Sequence, residues 1–483
     1  MESRAPAQRR ADNIAVFFCT GCGTDCFVMT DYYNEETQLE EVKEMKKVVK
    51  FGGSSLANAD QFKKVGAIIG GDESRRYVVP SAPGKRFSSD IKVTDMLYAC
   101  YEAAAGGSDF TEQLDQIKER YQEIIDGLDL SFSLDKDFEK IREDFSSQAG
   151  KDYAASRGEF LNGKVMAAYL GFDFVDAAEV VRFDDDGSFN ADVTNDLLSE
   201  KLKDKHTAVI PGFYGAKADG EVVTFSRGGS DITGSLVALA VGADLYENWT
   251  DVSGFLIADP RIVKNPKSIE TITYKELREL SYMGASVLHE DAIFPVRKAG
   301  IPINIRNTNK PEDKGTLIVE STCRKPKYTI TGIAGTDGFA AITVEKAMMN
   351  SEVGFCRKVL QVFEDNGVSI EHMPSGIDTM SIFVNKDSFE EKEQKILSDI
   401  NKTVNPDHIE LESDLALIAV VGRGMKSTRG TAGRIFSALA HAHINVKMID
   451  QGSSELNIII GVRHEDFKAA IRALYEIFVL TQI

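Results

Sequence analysis

Three short segments combine glycine, hydroxyl and charged residues in patterns suited to phosphate chemistry. The first is Val48-Val49-Lys50-Phe51-Gly52-Gly53-Ser54-Ser55. An apolar run of strand type ends on two glycines, which let backbone N–H groups approach phosphate oxygens and form an anion-binding nest. Lys50 stands at the strand end, ahead of the glycines, which is not the P-loop order. The second is Phe225-Ser226-Arg227-Gly228-Gly229-Ser230-Asp231-Ile232-Thr233-Gly234. Arg227 suits bidentate pairing with a carboxylate, and Ser230 and Asp231 stand where a helix would begin. The third runs from Trp249-Thr250-Asp251 through Val252-Ser253-Gly254 to Asp259-Pro260-Arg261. Two acidic groups and an arginine near a strand end suit a nucleotide with its Mg²⁺. Each segment alone also reads as a tight turn or a helix cap.

The surrounding pattern supplies elements to position them. Strands are expected at Val48–Phe51, Tyr77–Val79, Phe172–Val175, Val209–Ile210, Leu245–Trp249 and Ile303–Ile305. Helical spacing falls at 58–70 with Asn58 as N-cap, through much of 95–170, and at 232–241, 274–283 and 290–299. Strands alternating with helices predict an α/β layer fold with a mainly parallel sheet, which binds ligands at the carboxyl ends of its strands.

The last third differs. It repeats itself at an offset of 76 residues: Gly354–Leu360 matches Gly430–Phe436, Val368–Ile370 matches Ile444–Val446, and Ser381–Val384 matches Asn457–Ile460. Each copy reads strand, loop, helix, strand, turn, strand, helix, a small α+β unit used twice. Paired copies can leave binding clefts at their seam.

Bulk properties set limits. The 483 residues suit two or three domains. The net charge of −19 argues against duplex nucleic acid as a partner. No apolar stretch reaches the length of a membrane span. Cys100, Cys323 and Cys356 read as separate reduced thiols. Cys19, Cys22 and Cys26 lie in a segment unlike the rest, without a fourth metal ligand at suitable spacing, and no metal-ligating protein set is expected. Residues 1–45 are expected to be a disordered extension.

Taken in order, the three segments resemble the signature of the aspartokinases, within the amino-acid-kinase fold. Lys50–Ser55, Phe225–Asp231 and Thr250–Arg261 carry the likeness, supported by Ser81-Ala82-Pro83-Gly84 and Gly158-Glu159. The terminal repeat resembles the family's paired ACT domains. The resemblance spans about 46–480 and implies a three-layer αβα sandwich at 46–325, a first ACT domain at 335–408 and a second at 409–483. No fused further domain is expected beyond the second repeat.

The resemblance also implies roles. Lys50 and Asp231 would be catalytic, with Lys50 on the transferring phosphoryl group. Ser81, Thr94, Glu159, Arg227 and Ser230 would hold aspartate, Glu159 facing its amino group. Gly52, Gly53, Ser54, Thr250, Asp251, Asp259 and Arg261 would line the nucleotide. Met349, Ser351, Gly354, Phe355, Ile370 and Glu371 would bind lysine or threonine as effector, and Lys447 in place of Glu371 makes the second copy different. ATP with Mg²⁺, a cytoplasmic location and a homodimer, or dimer of dimers, through the ACT domains complete the picture. The sequence departs from the family at Ser286, where a nucleotide-contacting lysine is usual, and at Leu256, where tyrosine is usual; Lys264 is the candidate replacement charge, and His289 reads as structural. A carboxylate is already nucleophilic at neutral pH, so the chemistry needs positioning and positive charge rather than a general base.

Overall fold

The computed structural model describes residues 16–18, 27–29, 44–226, 228–285, 288, 290–324 and 326–481. Most of 1–45, with Cys19, Cys22 and Cys26, lies outside the described residues, as do Arg227, Ser286 and His289.

The catalytic portion is an eight-stranded sheet. Its strands are β1 (Lys47–Phe51), β2 (Arg75–Pro80), β3 (Asp173–Phe174), β4 (Ala208–Val209), β5 (Leu245–Thr250), β6 (Thr271–Thr273), β7 (Ile303–Asn307) and β8 (Thr316–Val319). They lie in the order β6-β8-β7-β5-β1-β2-β4-β3. The six from β7 to β3 are parallel; β8 runs antiparallel to β7, and β6 parallels β8. Strand β1 is buried on both faces, which suits the centre of a parallel sheet. Its side chains alternate between two cores. Val49 and Phe51 pack with α1 (Ala59–Gly70), α2 (Val93–Ala105), α3 (Thr111–Gly127), α4 (Asp135–Ser146) and α5 (Lys151–Leu170). Val48 points to the other face, with α6 (Gly229–Ala240) and α7 (Tyr274–Tyr282). The expected three layers follow. Asn58 caps α1, accepting from Gln61 N. Among the described residues, no helix is long and apolar enough to cross a membrane.

The tail forms one six-stranded sheet. Its strands are β9 (Gly332–Glu345), β10 (Ile370–His372), β11 (Thr379–Asn385), β12 (His408–Val421), β13 (Met448–Asp450) and β14 (Asn457–Arg463), in the order β10-β11-β9-β12-β14-β13. The register of β9 breaks between Asp337 and Phe339, at Gly338, whose φ is +87°. The residues before the break pair with Ala416–Val421, and those after it pair with β11 and the start of β12. The two repeat units therefore interleave: the front of β9 packs with the second copy.

The copies are held differently. Ile333, Ala334, Leu415–Val421 and Ile458–Ile460 share one continuous core with the catalytic domain. Most of residues 340–404 enclose a core of their own, built on Ile342, Phe355, Phe363 and Ile396, while Phe339, Ala341 and Phe383 join the shared core. At the fused junction Glu276, fully buried, forms a capping box at the start of α7. It accepts five hydrogen bonds: from Thr273 N (2.9 Å) and Oγ1 (2.8 Å), Thr331 Oγ1 (2.6 Å), and Arg423 N (2.8 Å) and Nη1 (2.9 Å). The other copy reaches the catalytic domain through Tyr282, whose hydroxyl donates to Glu371. His372 Nδ1 lies 2.9 Å from Asp450 Oδ2 of the second copy.

Candidate active site

The carboxyl ends of β1, β2, β5 and β7 meet at one edge of the sheet. Gly52 N donates to Trp249 O (3.0 Å), Ser81 N to Phe51 O (3.1 Å) and Gly84 N to Gly53 O (2.8 Å). These bonds lace the turn after β1 to the turn after β2. The fit demands glycine: a Cβ on Gly53 would lie 2.8 Å from Ala82 O, and one on Gly84 would lie 2.6 Å from Gly53 C. Ser55, which is buried, shares a 2.8 Å hydroxyl contact with Thr308 beyond β7, while Ser54 is exposed.

Lys50 is 8% exposed, and its Nζ lies 2.5 Å from Asp231 Oδ1. Asp231 stands in the first turn of α6, where the helix dipole favours an acid. It also accepts from Asn248 Nδ2 on β5 (2.8 Å). Thus β1, β5 and α6 converge on one ion pair. The helix start is fixed by Gly228, whose φ of +60° is left-handed, and by a close approach: a Cβ on Gly212 would lie 2.6 Å from Ser230 Cβ. Beside it Phe213 holds a φ of +80°, a strained value for a non-glycine residue, with its N–H donating to Thr233 Oγ1 at 3.2 Å.

The wall of the cleft is α5. Glu159 is 6% exposed, and burial pushes its carboxyl up to about 8, against the Ala82 N–H that it accepts and the nearby charge of Lys50. Among the described residues its Oε2 has no partner. Gly158 passes so near Ala82 that a Cβ would lie 2.8 Å from the alanine methyl. Thr94 is half-buried at the start of α2. On the other side Thr250 Oγ1, at the last residue of β5, donates to Asp251 Oδ1 (3.1 Å) just past it. Asp259 and Arg261 form a surface pair at 2.6 Å, with the guanidinium 87% exposed. Arg261 holds the Asp259 carboxyl below its ordinary range. Lys264 is exposed and Leu256 half-buried.

The structure thus gathers Lys50, Asp231, Gly52, Gly53, Ser81, Glu159 and Ser230 around one cleft. Asp259 and Arg261 remain bound to each other on a loop further along the chain. Reasoning from sequence missed two participants: Asn248 and Thr308. Asn248 had a signal, a polar pair with Glu247 in the middle of a strand placed to be buried.

Comparison with known proteins adds to this geometry. A model of the amino acid kinase family matches residues 45–307, and an ACT domain model matches 418–478. Aspartokinase 3 of Bacillus subtilis is 42% identical over 451 residues, covering 89% of this chain and 98% of that protein. The chain belongs to the aspartokinase family. Among solved structures, the aspartate kinase of Clostridium acetobutylicum is 52% identical with a TM-score of 0.83, over 90% of this chain and all of that one. Aspartokinase III of E. coli, solved with lysine and aspartate, is 25% identical with a TM-score of 0.67, over 89% of this chain and 99% of that one. The aspartokinase architecture therefore covers both the kinase domain and the tail.

In the tail the side chains of Met349 and Phe355 are buried in the core of the first copy, 5% and 2% exposed. Ser351 and Gly354 are exposed, and Ile370 and Glu371 half-buried. The amides of Met349, Ser351 and Phe355 are used inside the loop, donating to Lys346 O, Met348 O and Glu352 O. Gly354, with a left-handed φ of +82°, is the N-cap of a helix, Phe355–Asp365, whose first-turn amides suit an anion. Glu352 is fixed by Lys346 and Lys358, both at 2.7 Å, which draw its carboxyl down to about 2. Lys447, the counterpart of Glu371, pairs with Glu412 at 2.5 Å. The two copies therefore present different chemistry at equivalent places.

Proposed function

We propose that this chain transfers the γ-phosphoryl group of ATP to the side-chain carboxylate of L-aspartate, giving 4-phospho-L-aspartate, under feedback from lysine or threonine. The observation that carries the reading is the buried Lys50–Asp231 pair, set where the glycine turn after β1 meets the start of α6. In the free enzyme Asp231 holds the ammonium of Lys50 in place. An incoming triphosphate competes for that ammonium, so Lys50 moves its charge to the transferring group without crossing the cleft. Amides of Gly53 and Ser54 add donors for the phosphate oxygens, in a turn that the Gly52 N–H ties to Trp249 O. Preorganised charge of this kind is the main catalytic resource where the nucleophile needs no base.

Aspartate enters between α5 and α6. Its ammonium meets Glu159, its α-carboxylate meets Arg227, and Ser81, Thr94 and Ser230 line the path. Thr250, Asp251, Asp259 and Arg261 face the nucleotide, with Lys264 supplying charge that Ser286 cannot. The donors at these strand ends are hard oxygens, the chemistry that suits Mg²⁺. Mg²⁺ neutralises charge on the triphosphate when bound, and Asp231 and Asp251 are the carboxylates nearest that task. The reading places the enzyme in the cytoplasm as a dimer, or dimer of dimers, through its tail. For the effector, Glu371 takes an ammonium, while the Gly354 amide and the helix start take a carboxylate.

The decisive assay supplies ATP, Mg²⁺ and aspartate with hydroxylamine, which traps an acyl phosphate as the hydroxamate. Product with aspartate and none with glutamate is expected. Lys50→Ala should lose about 10²–10³ in turnover in protein shown to be folded at the assay temperature, with a lowered melting temperature because Asp231 loses its partner. Near-normal turnover in that variant removes Lys50 from the mechanism.

A further inference from the structure

Among the described residues, two acceptors in the cleft wall have nothing to accept from. One is Glu159 Oε2, and the other is Asn162 Oδ1, in a residue with no exposed surface. They stand three residues apart on α5, so their side chains occupy neighbouring positions on one face, about 5–6 Å apart at Cβ. Both face the turn after β2: Ala82 N donates to Glu159, and Asn162 Nδ2 donates to Ser81 O at 2.7 Å. That last bond fixes the amide. A backbone carbonyl only accepts, so Nδ2 must face Ser81 and Oδ1 must face away from it. A buried acceptor left unpaired costs about 1–3 kcal/mol, and native proteins rarely keep two together without a purpose.

We infer that Asn162 is a substrate-binding residue: its Oδ1 and Glu159 Oε2 together receive the ammonium of the amino-acid substrate. The inference rests on the reading that Glu159 faces that ammonium. An ammonium carries three N–H donors in a tetrahedral spread and can serve both oxygens at once. A hydroxyl has one donor and a methylene has none. The pair therefore selects an amine over a hydroxyl or hydrogen at the same carbon, separating aspartate from malate and succinate. Asn162 contributes direction without charge, and its other end ties the preference to the Ser81 turn.

The test compares aspartate with malate and succinate as competitive inhibitors, using Asn162→Leu and the smaller Asn162→Ser, each checked by thermal melting. The aspartate KM should rise about tenfold, the loss of one hydrogen bond to a charged group. The inhibition constants of malate and succinate should stay within about twofold, because neither uses the pair fully. The change should sit in KM rather than kcat. If all three ligands weaken together, Asn162 only holds the Ser81 turn and the inference falls. It falls equally if none weakens. Should Asn162→Leu fail to fold, Asn162→Ser decides alone. Glu159→Gln separates the two claims: if it leaves the preference for aspartate intact while Asn162→Ser reduces it, the reading of Glu159 is wrong and that of Asn162 stands.

Discussion

Two glutamates, both nearly or wholly buried, sit in opposite conditions. Glu276, at the junction with the tail, accepts five hydrogen bonds, and its carboxyl lies below its ordinary value despite burial, held there by Thr331 and by Arg423. Glu159, in the cleft, has one oxygen unpartnered among the described residues, and burial raises its carboxyl to about 8. One carboxylate is satisfied by the fold and the other is not. A fully paired buried charge holds parts together, whereas an unpaired one waits for a ligand to complete it.

The sharpest way to break this contrast is at the junction. Glu276→Ala leaves Arg423 without its carboxylate and Thr331 without an acceptor. Removing one partner of a buried pair typically costs about 3–5 kcal/mol. Chemical denaturation should show that loss, and activity should fall with the folded fraction rather than through KM. A variant as stable as the wild type would mean that the shared core alone joins tail and kinase.

The corresponding change in the cleft should have the opposite sign on stability. Glu159→Gln cannot ionise, so it removes a burden that the native chain carries at neutral pH. Below about pH 4.5 the carboxyl is protonated whether folded or unfolded, and above about 8 it is ionised in both. Between those limits the folded chain binds more protons, so its contribution to stability declines as pH rises. At pH 7 the glutamine variant should equal the wild type or exceed it by about 1–3 kcal/mol. Its aspartate KM should rise about tenfold or more, since a charge-assisted bond is lost. A destabilised variant with unchanged KM would make Glu159 a second Glu276.

The same proton gives a test in the unmodified enzyme. Below about pH 8 Glu159 is largely protonated in the free cleft, and an ammonium ligand requires the carboxylate. Aspartate binding should therefore expel a proton, and affinity should rise with pH toward 8, by up to about tenfold per unit. Calorimetry in two buffers of different ionisation enthalpy counts that proton. No release at pH 7 would place the ammonium elsewhere.

Much of this was readable beforehand, for physical reasons that also mark the limits. Strand β1 announced itself because a parallel strand buried on both faces is a continuous apolar run ended by glycines. The tail repeat was legible because both copies bury the same periodic positions. The short strands Thr271–Thr273 and Thr316–Val319 were not, since three or four residues carry too little periodicity. Nor was the interleaving of the copies at Gly338, which depends on pairing between distant segments. In the site, Lys50 and Asp231 were legible as types, but their bond to each other was not. Glu276 was invisible: its local signal is an ordinary capping box, and its partners Thr331 and Arg423 come from 55 and 147 residues away.

The helix that carries Glu276 in its first turn, α7, ends on Tyr282. The start of the helix is therefore anchored to the fused copy of the tail, and its end touches Glu371 in the other copy. Burial, together with that carboxylate, pushes the Tyr282 phenol up to about 12, so it remains a donor at any physiological pH. An ammonium effector that takes Glu371 must displace this hydroxyl, and coupling between the two events is reciprocal. Tyr282→Phe removes the competitor and leaves the ring. Lysine should then inhibit at concentrations about two- to fivefold lower, the value of one partly exposed hydrogen bond, while activity without effector stays within about twofold of the wild type. An inhibition curve that does not move would mean that Glu371 binds no effector ammonium, or that Tyr282 leaves it at no cost. Direct binding of lysine to Glu371→Gln separates these: retained affinity excludes the first role of Glu371, and lost affinity leaves Tyr282 as a bystander to it.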